Sequence, residues 1–176
     1  AMNNDAIAAI NGGAFTDEVN TQEWTANGGT PSGVIITDGK VIYDDLNGSS
    51  TGMVAMTKSG RLIVGNYSVD ELFEKNVTEA VTSIKGDGGE GSAPRTLIGQ
   101  NKDGNIILAV LDAKHEGSRT AATIKEAQEV MYKLGCVTAG TLDGGKSATM
   151  YYNEEVVNKP SYAYGERSIH TAIIVK

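Results

Sequence analysis

The sequence predicts an α+β fold dominated by antiparallel strands, with a mixed-sheet α/β arrangement as the alternative. Three observations carry the prediction. Glycine is abundant, at 22 residues against 3 prolines, and it recurs between short apolar runs, where tight turns need it. Three pairs of such runs are separated by Asp-Gly or Ser-Gly, which is the spacing of hairpins. One segment, residues 120–134, sustains a convincing helical period. The 176 residues are 40% apolar and 21% charged. That balance suits a folded chain and a single domain over 1–176.

The elements follow in order. Residues 4–9 read as the tail of a helix leading into a strand at Ile10. Residues 32–43, SGVIITDGKVIY, are the clearest hairpin, turning at Asp38-Gly39. Residues 53–64 repeat the pattern around Ser59-Gly60, and residues 101–112 around Asp103-Gly104. A short helix is expected over 69–75 with Ser68 as its cap. Arg95 opens a strand, RTLIG, after the glycine-rich loop GDGGEGSAP at 86–94. The helix over 120–134 puts Ile124, Ala127, Met131 and Leu134 on one face, and Gly135 stops it. A strand at 138–143 follows directly. Strand 106–112, the helix and this strand are expected to form a β-α-β crossover. A turn at Asn153-Glu154 and a strand over 170–175 complete the chain.

Composition excludes several classes. The net charge of −7 leaves no basic footprint for a general nucleic-acid binder. Cys136 is the single cysteine, so no internal disulfide and no cysteine zinc site can form. No run approaches the ~18 apolar residues of a membrane span. No signal peptide is evident, and Ala1-Met2 reads as a remnant of cloning, which leaves the native start open. Residues 140–147, GTLDGGKS, fit the phosphate-loop pattern G-x-x-x-x-G-K-[ST]. That loop needs a helix straight after it. The residues that follow, ATMYYNEEVV, are strand formers, so a strand is expected and the nucleotide reading is rejected.

Several residues have types that carry chemistry. Asn11-Gly12-Gly13 follows an apolar run, so a polar side chain can enter a cleft while the backbone approaches a ligand; from this motif alone an ordinary turn is the preferred reading. Asp143-Gly144-Gly145 ends the strand of the expected crossover, where ligands bind in open α/β sheets; a solvated Asp-Gly turn is the alternative. Arg95 and Arg167 stand at strand edges and can clamp a phosphate or carboxylate, or make structural ion pairs. His115 and His170 are the two histidines, and no nucleophile elbow accompanies them. Asp112, Glu116, Asp143 and Glu166 supply carboxylates for glycosidic chemistry. Asn47, Asn66 and Asn76 lie in glycosylation sequons.

Taken in order, these pieces resemble the phosphodiester glycosidase family, which includes a lysosomal enzyme that removes N-acetylglucosamine from mannose-6-phosphate diesters. The matching segments are INGGAF (10–15), the P-x-G at 31–33, PRTLIG (94–99) and LDAK (111–114) with the Thr-led helix after it. LDGGKSATM (142–150), VNKPS (157–161) and ERSIHTAI (166–173) follow. Ala14, Ala113-Lys114, Lys146 and His170 depart from the family pattern, and the chain begins close to its NGG motif, so an N-terminal truncation is left open.

The resemblance implies hydrolysis of a sugar-1-phosphodiester on the sugar side of the bridging oxygen. It implies a carboxylate near the anomeric carbon and cations on the phosphate. Asp143 takes the first role, Glu166 the second carboxylate, and Asn11 joins them as a catalytic candidate. Arg95 and Arg167 go to the phosphate, with Lys146, His170, Thr96, Ser147 and the glycines Gly12, Gly13, Gly144 and Gly145 around the substrate. No cofactor is required. A Ca²⁺ or Mg²⁺ ion is an option if Asp112 and Asp143 cluster. The expected partner is a small or polymeric glycan phosphodiester, with no nucleic acid and no membrane span, in a secreted, envelope-associated or phage-associated protein. A non-catalytic carbohydrate-binding module of the same fold is the rival reading.

Overall fold

A computed structural model describes residues 4–16, 29–83, 91–114, 121–161 and 165–176. Its strands are β1 (Ala8–Asn11), β2 (Phe15–Thr16), β3 (Thr30–Pro31), β4 (Val34–Thr37), β5 (Lys40–Asp44), β6 (Thr51–Thr57) and β7 (Leu62–Tyr67). Then come β8 (Val77–Thr82), β9 (Arg95–Asn101), β10 (Ile106–Leu111), β11 (Cys136–Thr141), β12 (Met150–Tyr152), β13 (Glu155–Val156) and β14 (Ala172–Val175). Helix α1 (Val69–Glu74) follows β7, and α2 (Ile124–Lys133) joins β10 to β11. The α+β expectation holds, with strand at 46% and helix at 14%.

The strands form sheets in the orders β5-β4-β8-β6-β7, β10-β9-β11 and β13-β12-β1-β14, with β2 and β3 as a separate pair. Each of these pairings is antiparallel. The mixed-sheet alternative is therefore not realised among the described residues. The β10-α2-β11 crossover does form, but β9 lies between its two strands and pairs with both. It is a split β-α-β unit. The three expected hairpins are β4–β5, β6–β7 and β9–β10. At the first, Asp38 and Gly39 have φ of 51° and 70°, the left-handed pair that a two-residue hairpin turn demands.

Two expectations at element ends are corrected. Residues 8 and 9 are strand, not the tail of a helix. Ala8 and Ala9 pair with Tyr152 and Tyr151 on one side and Val175 and Ile174 on the other, so sheet pairing overrides alanine's helical preference. Helix α2 starts at Ile124, because Thr123 caps it and exchanges hydrogen bonds with Glu126 in a capping box. Ala122, expected inside the helix, bridges Ala93 instead. Leu134 lies past the last turn and is half exposed.

Three apolar clusters order the layers. Val34, Ile36, Met53, Ala55, Leu72, Val77 and Ala80 pack α1 on the five-stranded sheet. Ile10, Val54, Leu62, Ile98 and Leu142 join all three larger sheets. Leu97, Ala127 and Met131 seat α2 on the three-stranded sheet. Strand alternation makes this possible: Met53 and Ala55 face one cluster and Val54 the other, so β6 is buried on both faces. The central cluster brings the end of β1 beside the start of β9 and the end of β11.

Candidate functional site

Asn11 ends β1 and is 2% exposed. Its amide ties three segments together. Nδ2 donates to the Asp143 carbonyl at 2.6 Å. Oδ1 accepts from Thr96 Oγ1 at 2.6 Å and from the Thr149 N–H at 3.1 Å. Asp143 lies two residues beyond β11, and its own N–H donates to the Gly12 carbonyl at 3.0 Å. The Asp143 backbone is thus held on both sides by the Asn-Gly pair. Its carboxylate is turned back, with Oδ1 accepting the Gly144 N–H at 2.9 Å. Thr96 is fully buried and supports this junction from beneath, its carbonyl accepting the Leu142 N–H.

The glycines allow close approach. A Cβ on Gly12 would stand 2.8 Å from Thr171 Cβ, and one on Gly144 would stand 2.6 Å from the Pro94 carbonyl oxygen. Their N–H groups are engaged within the protein. Gly12 and Gly13 donate to the Thr171 carbonyl and Oγ1, at 2.8 Å and 2.9 Å. Gly145 donates to the Pro94 carbonyl at 2.8 Å. An anion at this junction must therefore be met by side chains rather than by the N–H groups of the two glycine pairs.

The cations divide. The Arg167 guanidinium lies over the Phe15 ring, 4.8 Å from its centroid, and His170 meets the same ring edge-on at 5.5 Å. Phe15 is two residues past Gly13, so Arg167 and His170 join the Asn11–Asp143 junction through β2 and Thr171. Lys146 is half-buried in a short 3-10 turn, Gly145–Ser147. This turn leads to strand β12, as expected against the nucleotide reading. Ser147 is 1% exposed, and its Oγ has no hydrogen-bond partner among the described residues. Arg95 is turned to carbonyls, with Nε donating to Ala122 at 3.1 Å and Nη2 to Gly91 at 2.9 Å. Glu166 is exposed, and no hydrogen bond joins it to the junction among the described residues. His115 and Glu116 lie outside the described residues.

Asp112 works elsewhere. Its Oδ1 accepts from Asn158 Nδ2 at 2.8 Å and its Oδ2 from the Lys159 N–H at 2.9 Å. Asn158 also donates to the Ala148 carbonyl and accepts the Met150 N–H, which latches the VNKPS segment beside the 3-10 turn. No three His, Cys, Asp or Glu side chains gather as a metal-holding group among the described residues.

Sequence reasoning did not single out Phe15, Thr149, Asn158 or Thr171. Each acts through long-range backbone or ring contacts. The only local trace is that each lies inside or beside one of the ordered segments. Chemically, the junction offers a carboxylate with a rigidly held backbone, a buried hydroxyl next to it, and a guanidinium stacked on the ring of Phe15 in the adjoining β2.

The family model for phosphodiester glycosidases matches residues 4–176. Among curated proteins, none matches the chain. Several solved structures resemble it. The catalytic domain of zebrafish N-acetylglucosamine-1-phosphodiester alpha-N-acetylglucosaminidase, auto-inhibited by its pro-peptide, has a TM-score of 0.75 at 20% identity, covering 97% of this chain and 63% of that one. A hypothetical protein from Synechocystis has a TM-score of 0.64 at 14% identity, covering 96% of this chain and 50% of that one. A Burkholderia pseudomallei protein described in its name as exported has a TM-score of 0.65 at 14% identity, covering 97% of this chain and 65% of that one. The chain thus spans less than two thirds of each. At these identities the likeness is one of fold. Among the described residues, no helix is long and apolar enough to cross a membrane.

Proposed function

The chain belongs to the phosphodiester glycosidase family, and from that premise we propose that it hydrolyses the glycosidic bond of a sugar-1-phosphodiester, with Asp143 as the catalytic carboxylate. The observation that carries this reading is the double clamp on Asp143. Asn11 Nδ2 holds its carbonyl and the Gly12 carbonyl holds its N–H. A carboxylate used against a developing positive charge must be held in place before the charge appears.

The leaving group is a phosphate monoester, which departs readily, so strong general-acid help is less necessary. Asp143 then stabilises positive charge at the anomeric carbon or activates water there. Arg167 and Lys146 meet the phosphate, with His170 beside Arg167. Glu166 is the second carboxylate, and Ser147 donates a hydrogen bond to the substrate. Asn11, Thr96 and the glycine pairs act by positioning. Arg95, anchored on two carbonyls, fixes the start of β9 and reaches the phosphate with its remaining donors. The substrate is a small or polymeric glycan phosphodiester, and a secreted or envelope location suits it.

The test is sugar release from a panel of α-sugar-1-phosphodiesters, beginning with N-acetylglucosamine. Wild type should release sugar. Asp143→Asn, folded to the same thermal midpoint, should lose at least about a hundredfold in kcat/KM, the scale of a general-base contribution. Release that persists undiminished in Asp143→Asn refutes the assignment. No release from any diester by folded wild type favours a carbohydrate-binding module.

A further inference from the structure

The turn of the β6–β7 hairpin and the residues just after α1 enclose a cleft of about 700 Å³. Its cationic lining is Lys58, Arg61 and Lys75, and no carboxylate is among the described lining residues. We propose that this cleft binds the phosphate of a phosphorylated sugar, at a site separate from Asp143 and independent of the activity assigned to it.

Charge is the first argument. The chain carries −7 overall, yet three of its cations line this one cleft. Lys75 Nζ stands 5.5 Å from the centroid of the Tyr67 ring, which holds the ammonium at the cleft. Glu71 feels the Lys75 charge, and its Oε2 accepts the Ser68 N–H in the α1 capping box. Two point charges and one guanidinium fork are the donor set that phosphate recognition uses.

Shape is the second argument. Tyr67 and Ile63 give the cleft an apolar wall, and the Ser59 hydroxyl, 3.0 Å from Thr57 Oγ1, lines it in the same turn as Lys58 and Arg61. A sugar ring presents C–H faces to such a wall and hydroxyls to such a group. The volume falls within the range of small-ligand sites. Position is the third. At Met53, β6 pairs with Thr82, whose carbonyl accepts the Ala14 N–H beside the glycine pair. From there to Thr57 is four residues, on the order of 13 Å along a strand. The cleft is therefore at the far end of β6 from the Asp143 junction.

The experiment is amide NMR of the whole chain titrated separately with glucose 6-phosphate, inorganic phosphate, glucose and a phosphorylated dextrin. Glucose 6-phosphate should give saturable shifts at Ser59, Arg61 and Asn76, with inorganic phosphate weaker by at least about tenfold and glucose silent. Equal or tighter binding of the dextrin would identify the source as a polymer, and its failure to bind would identify a free phosphosugar. Lys58 and Arg61 are exposed, so Lys58→Gln and Arg61→Gln should leave the fold intact and together weaken binding at least about tenfold. Absence of shifts, shifts that inorganic phosphate reproduces equally, or shifts that survive both substitutions would overturn the proposal.

Discussion

Asn11 shows how much one buried amide can organise. Its oxygen receives the Thr96 hydroxyl and the Thr149 N–H, and its nitrogen reaches Asp143, 132 residues away. Removing it strands the buried Thr96 hydroxyl and the part-buried Thr149 N–H, each worth about 1–3 kcal/mol when unsatisfied. Asn11→Ala should therefore lower stability by about 2–4 kcal/mol in urea unfolding. It should also weaken sugar release beyond what the unfolded fraction explains, because Asp143 loses its clamp. A stability loss below about 1 kcal/mol would mean that the amide is not the tie it looks to be. At this scale the sequence was legible in part. Asn11-Gly12-Gly13 and Asp143-Gly144-Gly145 stood out as polar residues ahead of glycine pairs. That they engage one another was not, because nothing local links residues so far apart in the chain.

Elements were legible where their causes are local. Asp38-Gly39 announces a turn because two successive left-handed residues are a property of those residues. Ser68 is legible as the cap of α1, whereas its reciprocal partner Glu71 and the Thr123–Glu126 cap of α2 went unread although their spacing carries them. The start of α2 was misread by four residues because Ala121 and Ala122 extend the apolar pattern, yet Ala122 is drawn into a bridge with Ala93. The strand at Ala8 was misread because both its partners come from the last 27 residues of the chain. The caps also make a pH prediction. Hydrogen bonds from Ser68 hold the Glu71 carboxyl below the ordinary glutamate value of 4.5, and those from Thr123 do the same for Glu126. Their contribution is present above that value and is lost as pH falls through the lowered one. The thermal midpoint should fall as pH drops below about 4.5. The Glu71→Gln, Glu126→Gln double variant should show a shallower fall over the same window, and an identical slope would deny the caps this role.

At the scale of the molecule, the central cluster determines where the Asn11–Asp143 junction sits. Ile10, Val54 and Ile98 come from three different sheets and Leu142 from just past the end of β11, and their packing brings the ends of β1 and β11 to the start of β9. The split crossover serves this arrangement, since β9 between β10 and β11 presents Thr96 to Asn11 while Leu97 faces α2. The antiparallel layering was legible from glycine turns and run lengths. The insertion of β9 was not, because strand order depends on long-range pairing. The central claim is that this junction directs cleavage to the sugar side of the phosphodiester. It is tested most directly by hydrolysing a sugar-1-phosphodiester in water labelled with heavy oxygen and weighing both products. Sugar-side cleavage predicts a phosphate monoester free of label and a sugar labelled at its anomeric hydroxyl. Label in the phosphate monoester would mean attack at phosphorus and would contradict the role given to Asp143.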